Sequence, residues 1–396
     1  MRIGRLFLLL AVAGMTTFTA CSNDDELTVT ESTEQARPVT LDFDFNLSAG
    51  GLKRAGRPLY SSQALQQVND MMVYVFKENS GSYTYTGTSY DITAFDNAAA
   101  TGDESHSLEI ETALTDGSYK FLAVGLEDAT TYSSIAFTAN TTTLEAAEIQ
   151  LADAQKAGEF FAGSTNVYAV NAETQSLGVS ITLTRVVAGV LGYFKNVPYQ
   201  LIAANGSMKR VTKVAVQLNQ NANKAAFVAP GAELTFGDGS SYTELMSIAF
   251  DDQAAKDEAK NIYTCAEVTT GSEGNPAKVE NSFLVGGYSL PCAALTGKAT
   301  MKVVLYAGDE ALKTYPVQME SSQTDFALSR NTFYGIGHKE ADNNTTGEKD
   351  PDDGDEDDPN PGEEDDPIDL SKDQIITITV NANWEAIHDL GLGNAE

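Results

Sequence analysis

Residues 40–60 read TLDFDFNLSAGGLKRAGRPLY, and the fold is decided by how this stretch is read. Leu41, Phe43, Phe45 and Leu47 alternate with Asp42, Asp44 and Asn46, the two-residue period of a strand with one apolar and one polar face. The pattern stops at Gly50-Gly51, and Gly56 and Pro58 make the following run a poor helix or strand. Lys53, Arg54 and Arg57 lie in that run, and an accessible loop with a dibasic step is where proteases nick chains. A strand suited to a sheet is thus followed at once by a place where it can be cut off.

The chain around it has 396 residues, 42% hydrophobic and 9% aromatic, enough for two or three domains with their own cores. A net charge of −31 argues against nucleic acid and against charge-driven binding to an anionic lipid surface. Much of that charge is local: between Glu348 and Asp369 stand thirteen acidic residues against Lys349 alone, a net of −12. The folded remainder is only moderately acidic.

At the N-terminus, Arg2 and Arg5 precede an apolar run from Leu6 to Met15 that is short for a membrane span. Phe18-Thr19-Ala20-Cys21 then resembles the lipobox of bacterial lipoproteins, which predicts acylation at Cys21. An ordinary secretory signal with an incidental Cys is the alternative. The acidic run Ser22 to Glu26 resembles the surface-export signal of Bacteroidales lipoproteins, although a solvated tether has the same composition. Cys265 and Cys292 remain: export to an oxidising compartment allows a disulfide between them, and two buried thiols fit equally well.

Further along, Met71 to Phe76 and Tyr83 to Tyr85 around Glu78-Asn79-Ser80-Gly81 predict a hairpin. Ser107 to Ile110 and Ser118 to Val124, around Thr115-Asp116-Gly117, predict two more strands. Helices are predicted at Ser61 to Asn69, Leu144 to Lys156 and Asp251 to Lys260. Leu177 to Thr184 alternates and closes a first domain, and Val186 to Val190 opens a second. Val211 to Leu218, Ser282 to Tyr288, Met301 to Tyr306 and Thr332 to Ile336 continue as strands. Short strands with frequent turn signals predict a mostly β protein of antiparallel sandwiches with a few short helices. The acidic, proline-containing segment to Pro367 reads as a self-repelling leash. Behind it, Asp373 to Trp384 (DQIITITVNANW) returns to alternation, with Ile376, Ile378 and Val380 on one face and Ile375, Thr377 and Thr379 on the other. A lone strand is not stable in water, so this one must add to a sheet in its own subunit or a neighbour.

Signals for chemistry are weak. His106, His338 and His388 lie at neither metal-ligand nor relay spacing, and HExxH, P-loop, GxGxxG and GxSxG patterns are absent. No enzyme, cofactor or metal is predicted. Asp350, Asp352, Asp353, Asp355 and Asp357 offer oxygen ligands for calcium, but their spacing is not that of an EF-hand and a solvated leash explains them. Trp384, Tyr83, Tyr85 and Tyr90 suggest a sugar platform, against the commoner reading of alternating aromatics as packing.

Taken in order, several motifs resemble the major fimbrillins of Bacteroidales, the type V pilins. They are the lipobox at Cys21, the strand Leu41 to Leu47 before Arg54-Ala55, DMMVYVFKENSGSY, LTRVVAGVLGYFKNVP, SRNTFYGIG and ITITVNANWEA. The resemblance implies two transthyretin-like sandwich domains, surface export as an outer-membrane lipoprotein, and an arginine-specific protease that removes the first strand. A neighbouring subunit's C-terminal strand then fills the vacated groove, giving a homopolymeric fimbrium with anchor and tip partners and adhesion to host or bacterial surfaces. On this plan residues 1–20 are signal peptide, 21–54 tether and removable strand, 55–185 and 186–340 the two domains, 341–367 an acidic linker and 368–396 the donor tail. The removable strand is Leu41, Phe43, Phe45 and Leu47; the donor is Ile376, Ile378 and Val380. Arg54 is preferred to Arg57 as the cut site because Pro58 follows the latter. The alternatives are a tip or accessory fimbrial subunit, which lacks a usable donor strand, and a surface glycan-binding lipoprotein.

Overall fold

The structure, a computed structural model, describes residues 36–47, 68, 70–92, 105–126, 128–133, 135–153, 156–228, 233–265, 279–338 and 366–381. Among the described residues the first half contains nine strands: β1 (Arg37–Leu47), β2 (Asp70–Asn79), β3 (Ser82–Asp91), β4 (Ser105–Leu114), β5 (Gly117–Leu126), β6 (Glu148–Gln150), β7 (Phe160–Ser164), β8 (Tyr168–Val170) and β9 (Ser176–Arg185). Seven of them follow one another in the order β3-β2-β5-β7-β9-β1-β4, with β8 beside β5. The hairpin between β2 and β3 turns on Ser80 and Gly81, both at positive φ (54° and 88°), where glycine is at no steric cost.

This path bends at β9. Residues 176–183 of β9 run parallel to β1, and only Thr184 and Arg185 pair with β7. Gly163 permits the crossing, since a Cβ there would lie 2.0 Å from the Thr182 carbonyl oxygen. β4-β1-β9 therefore faces β3-β2-β5-β7 across a core containing Leu41, Phe43, Phe45, Val73, Val75, Phe121 and Ile181. Strand composition follows this layering. β9 alternates buried and exposed residues along its length because its outer face meets water. β2 and β5 are apolar on both faces: Val73 and Phe121 enter the first core, while Tyr74, Phe76, Leu122 and Val124 enter a second.

The second half has β10 (Ala188–Lys195), β11 (Gln200–Ile202), β12 (Met208–Arg210), β13 (Lys213–Leu218), β14 (Lys224–Ala226), β15 (Thr243–Ala249), β16 (Lys256–Asp257), β17 (Ile262–Tyr263), β18 (Ser282–Ser289), β19 (Met301–Ala307), β20 (Glu310–Gln318) and β21 (Phe333–Ile336). The C-terminal tail adds β22 (Ile368–Asp369), β23 (Ile376–Thr377) and β24 (Thr379–Asn381). Sheets β18-β10-β21-β24 and β15-β13-β19-β20-β23 enclose a third core built on Val190, Phe194, Val214, Val303, Tyr315 and Ile336.

The protein is mostly β, with β1·β9, β10·β21, β10·β22 and β20·β23 running parallel among antiparallel pairs. At 185/186, where the sequence is expected to change domain, β9 ends and β10 follows from Ala188. The step between them is not a linker: Val186 and Val187 are buried in a cluster that also holds Phe76, Phe160, Phe227 and Tyr288 from both halves. β6 pairs with β14 across the same junction, and the described residues from Ala36 onward form one compact unit. A buried ion pair, Arg185 Nε to Glu159 at 2.7 Å, sits beside it, with Arg185 also donating to Asn331.

Among the described residues two predicted helices are absent. Over Leu144 to Lys156 a single 3-10 turn, Leu144–Ala146, capped by the Thr143 hydroxyl, gives way to β6, where Ile149 is buried between two exposed neighbours. Its helix-forming composition yields to the alternation that lets Ile149 join the junction core. Asp251 to Lys260 forms turns and β16, which pairs back onto β17 through the positive-φ residue Asn261. Of the predicted helix at Ser61 to Asn69, all but Val68 lies outside the described residues.

Candidate functional site

The candidate site is the position of β1. Ten of its residues, Arg37 to Asn46, pair antiparallel with β4, and eight, Thr40 to Leu47, pair parallel with β9. Among the described residues β4 has no other ladder, and β9 has only its two-residue end on β7. β1 is thus the strand that joins two others which are not paired with each other among the described residues. Val39, Leu41, Phe43 and Phe45 are at most 2% exposed; burial of each such side chain contributes about 1.5–3 kcal/mol. Phe43 stacks on Phe45 at 5.6 Å and meets Phe121 edge-on at 5.5 Å, beside Tyr90. Arg37 fixes the start of the strand through Asp116 at 2.9 Å.

The outer face is less comfortable. Asp42 stands directly opposite Glu109 in the β1·β4 register, and like charges so placed destabilise a strand pair. Leu47 closes the ladder opposite Leu183. Cys21, Arg54 and Ala55 lie outside the described residues.

The tail sits elsewhere and is not free. His338 and Asp366 exchange backbone hydrogen bonds of 3.0 and 2.9 Å, so the ends of the acidic segment meet. Asp366 therefore lies beside the end of β21, and residues 339–365 of the expected leash lie outside the described residues. β22 extends this edge along Phe194 and Lys195 of β10. Leu370 is fully buried, its N–H bonded to Lys195 O and its carbonyl accepting from the Tyr315 hydroxyl. Lys313 holds Asp373 at 2.8 Å and donates to Lys372 O at 3.2 Å. β23 then adds to β20 and β24 to β21, so the tail bridges the two sheets of its own sandwich. Ile376 and Ile378 are each 1% exposed in this core, whereas Val380 and Ile375 are 37% and 56% exposed.

Electrostatics reinforce the docking. The hydrogen bond from Lys313 holds the Asp373 carboxyl below the usual range. Burial works against charge on Asp369, but the Ser371 hydroxyl and N–H outweigh it and hold that carboxyl low as well. Burial likewise works against the Lys313 ammonium, and hydrogen bonds to Asp373 and Tyr315 overcome it, leaving its pKa raised. Sequence reasoning missed this clamp, because nothing local to residues 313 and 315 signals contact with a tail nearly sixty positions on.

The two cysteines are free and separate. Cys265 donates to the Ser282 carbonyl at the start of β18, and Cys292 follows the end of the same strand. Eight extended residues span roughly 25 Å, whereas a disulfide needs Cα atoms within about 7 Å. Burial pushes the Cys292 thiol up to about 11 and keeps it protonated as a core residue. The other candidates gather no reactive constellation. Tyr85 is buried and Tyr90 donates to Thr112 at 2.6 Å, so neither offers an open platform. Trp384, His388 and the carboxylates from Asp350 to Asp357 lie outside the described residues. Among the described residues no three His, Cys, Asp or Glu side chains converge as metal ligands, and no helix is long and apolar enough to cross a membrane.

The family model for fimbrillin-A associated anchor proteins Mfa1 and Mfa2 matches residues 30–237, which include β1, its slot and the junction. The chain belongs to this family. It is accordingly a fimbrial protein of the cell surface that associates with other fimbrial subunits. No curated protein matches it. Among solved structures it is similar to a putative cell adhesion protein from Bacteroides eggerthii, at 16% identity and TM-score 0.40, covering 89% of this chain and 96% of that one. It is also similar to the fimbrial anchor protein Mfa2 from Porphyromonas gingivalis, at 13% identity and TM-score 0.40 over 76% and 90% of the two chains. A fimbrilin from the same organism matches at 11% identity and TM-score 0.39 over 86% and 96%.

Proposed function

We propose that the chain is a fimbrial structural subunit, exported to the outer membrane as a lipoprotein through Cys21, in which β1 is a provisional strand. An arginine-specific protease cuts between Arg54 and Ala55 and frees Leu41, Phe43, Phe45 and Leu47 from the sheet. A strand of another subunit then takes the place between β4 and β9, and the assembled fimbrium presents its surface for adhesion to host or bacterial ligands. The observation that carries this reading is the place of β1: among the described residues it alone joins β4 to β9, and it precedes the basic run of residues 53–57. Without it, two strands keep unpaired N–H and C=O groups and an apolar channel, which a new strand satisfies. The Asp42–Glu109 opposition adds to the case for a strand held only until processing.

The reading is tested by treating the full chain with an arginine-specific protease. N-terminal sequencing that begins at Ala55, with ladders that resist dissociation in gels, supports it; a stable monomer after complete cleavage refutes it. A second reading, an anchor, tip or accessory subunit, is favoured by the docked tail, whose Ile376 and Ile378 would have to leave their own core to act as a donor with Val380. Removing 368–396 separates the two. A stalk subunit then stops extending chains, and a terminal subunit still accepts a partner strand.

A further inference from the structure

We infer that the β11–β12 hairpin is a docking contact between copies of this chain, seated beside the mouth of the neighbouring subunit's β1 slot. The inference rests on the reading that β1 leaves and that another copy's tail takes its place. Ile202 and Met208 stand opposite each other in the β11·β12 register and so share one face. At 67% and 60% exposure they are the two most open large apolar side chains among the described residues, whereas Leu201, on the other face, packs against the third core. The hairpin is fixed to the body behind it. At its tip Ser207 donates to Asn205 through both N–H and hydroxyl. At its base Arg210 donates to the Phe250 and Asp251 carbonyls and pairs with Asp252, and Lys209 pairs with Glu310. An apolar pair presented on a braced, water-facing hairpin marks a contact site, and the bracing lowers what ordering it on contact would cost.

The two ends of the exchange say what covers this pair. Thr40 lies opposite Ser176, and Leu47 lies opposite Leu183 near the junction, so a strand replacing β1 in the same direction enters at the end of Arg37. The donor is the last part of its chain, so the body of the donating subunit stands before that entry, beyond Arg37. This end of the first half points away from the junction. It carries Asp116 and, in the turn between β7 and β8, Val167 at 52% exposure. On the donor the tail leaves from the opposite pole. Asp369 pairs with Lys195 at the end of β10 that faces away from the junction, and β11 starts from the same place at Gln200. Leu370, bonded to Lys195 and Tyr315, can stay seated while Ile376 and Ile378 are withdrawn. Six residues of extended chain then separate Leu370 from Ile376, a reach of about 20 Å. Within that reach, the pole bearing Ile202 and Met208 meets the pole bearing Val167 and Asp116 of the next copy. The apolar pair is too small to hold two copies by itself, and it acts as a linked second contact that strengthens capture of the strand.

The test compares the full chain nicked after Arg54 with the same chain carrying Ile202→Glu/Met208→Glu. The double variant is expected to take up a fluorescent 37–47 peptide as the wild type does, and to need a protein concentration about tenfold or more higher to form ladders. Ladders at the wild-type concentration overturn the docking and leave strand exchange standing. A photo-cross-linking residue at position 202 gives an independent readout, expected to mark residues 112–118 or 164–176 of the neighbouring copy in assembled ladders. Ladders with no such mark overturn the docking too. A double variant that also loses the peptide is misfolded, and the cross-link alone then decides. A nicked wild-type chain that forms no ladders refutes the exchange between copies, and the docking with it.

Discussion

β1 and the C-terminal tail are both alternating strands beside polar, charged stretches, and as sequence they read as interchangeable. In the fold they are held in opposite ways. β1 is eleven residues long, paired on both sides through ten and eight residues, with four alternate side chains in the core. The tail crosses from one sheet to the other in three pieces pairing two, two and three residues, each at a sheet edge or extending one. A segment with so few backbone pairs opens locally at low cost, while a doubly paired strand opens only with its sheet. The difference teaches which of the two needs covalent help to leave: β1 requires a cut, and the tail requires only fraying.

The largest expected effect comes from the centre of β1. Phe43→Ala in the intact chain is expected to destabilise the first half by about 3–5 kcal/mol, read by urea unfolding; a loss near the surface-substitution range of about 0.5 kcal/mol would break the contrast with the tail. Within the tail, Ile378→Ala is expected to cost about 2–5 kcal/mol, with exchange protection lost around Leu370 to Ile378 first. Val380→Ala, at a position 37% exposed, should stay within about 0.5 kcal/mol. Equal effects at 378 and 380 would show that the tail is not docked on its 376/378 face.

How much of this was legible follows from the range of each signal. The strands of the first half, the Ser80-Gly81 turn and β9 announce themselves because alternation and turn chemistry are local. Leu144 to Lys156 misled because its good helix formers hide the spacing of Leu144, Ala147 and Ile149, which are buried together without an α-helix. Asp251 to Lys260 misled in the same way: its charged composition suits a helix, but Asn261 turns the chain and β16 pairs with β17. The tail could be recognised as a strand, and its inward face was one of two alternatives. Its docking depends on Lys313, Tyr315 and Lys195, whose contacts with it span gaps that no local pattern encodes.

Acid should distinguish the two regions next. Asp369 and Asp373 have folded-state pKa values below their ordinary ones, so their contribution is present above the ordinary carboxylate range and is lost as the pH falls through the depressed values. The raised Lys313 pKa works in the opposite direction, its contribution fading only at strongly alkaline pH. Amide exchange at Leu370 to Ile378 is therefore expected to accelerate, relative to the intrinsic rate, as the pH drops below about 4. The amides of Leu41 to Phe45, held by two ladders and apolar packing, should keep their protection. Parallel loss in both regions would show that the tail opens only with the whole molecule.

The smallest effect concerns the one place where β1 is poorly matched to its neighbours. Asp42→Asn removes the charge facing Glu109 while keeping the side chain's size and polarity, so the outer face of the sheet is otherwise unchanged. The intact chain should gain roughly 0.2–1 kcal/mol, and the gain should shrink as salt screens the exposed pair. If β1 is provisional, the same substitution slows release of the 37–47 segment from the nicked chain, since the repulsion that favoured its departure is gone. Glu109→Gln relieves the same pair from the other side, but it also alters the slot seen by an incoming strand. Slower release with both substitutions, and altered selectivity for the residue at position 42 of a captured strand with Glu109→Gln alone, would assign the opposition to the act of exchange. Unchanged release in both would reduce it to a surface detail of a permanent strand.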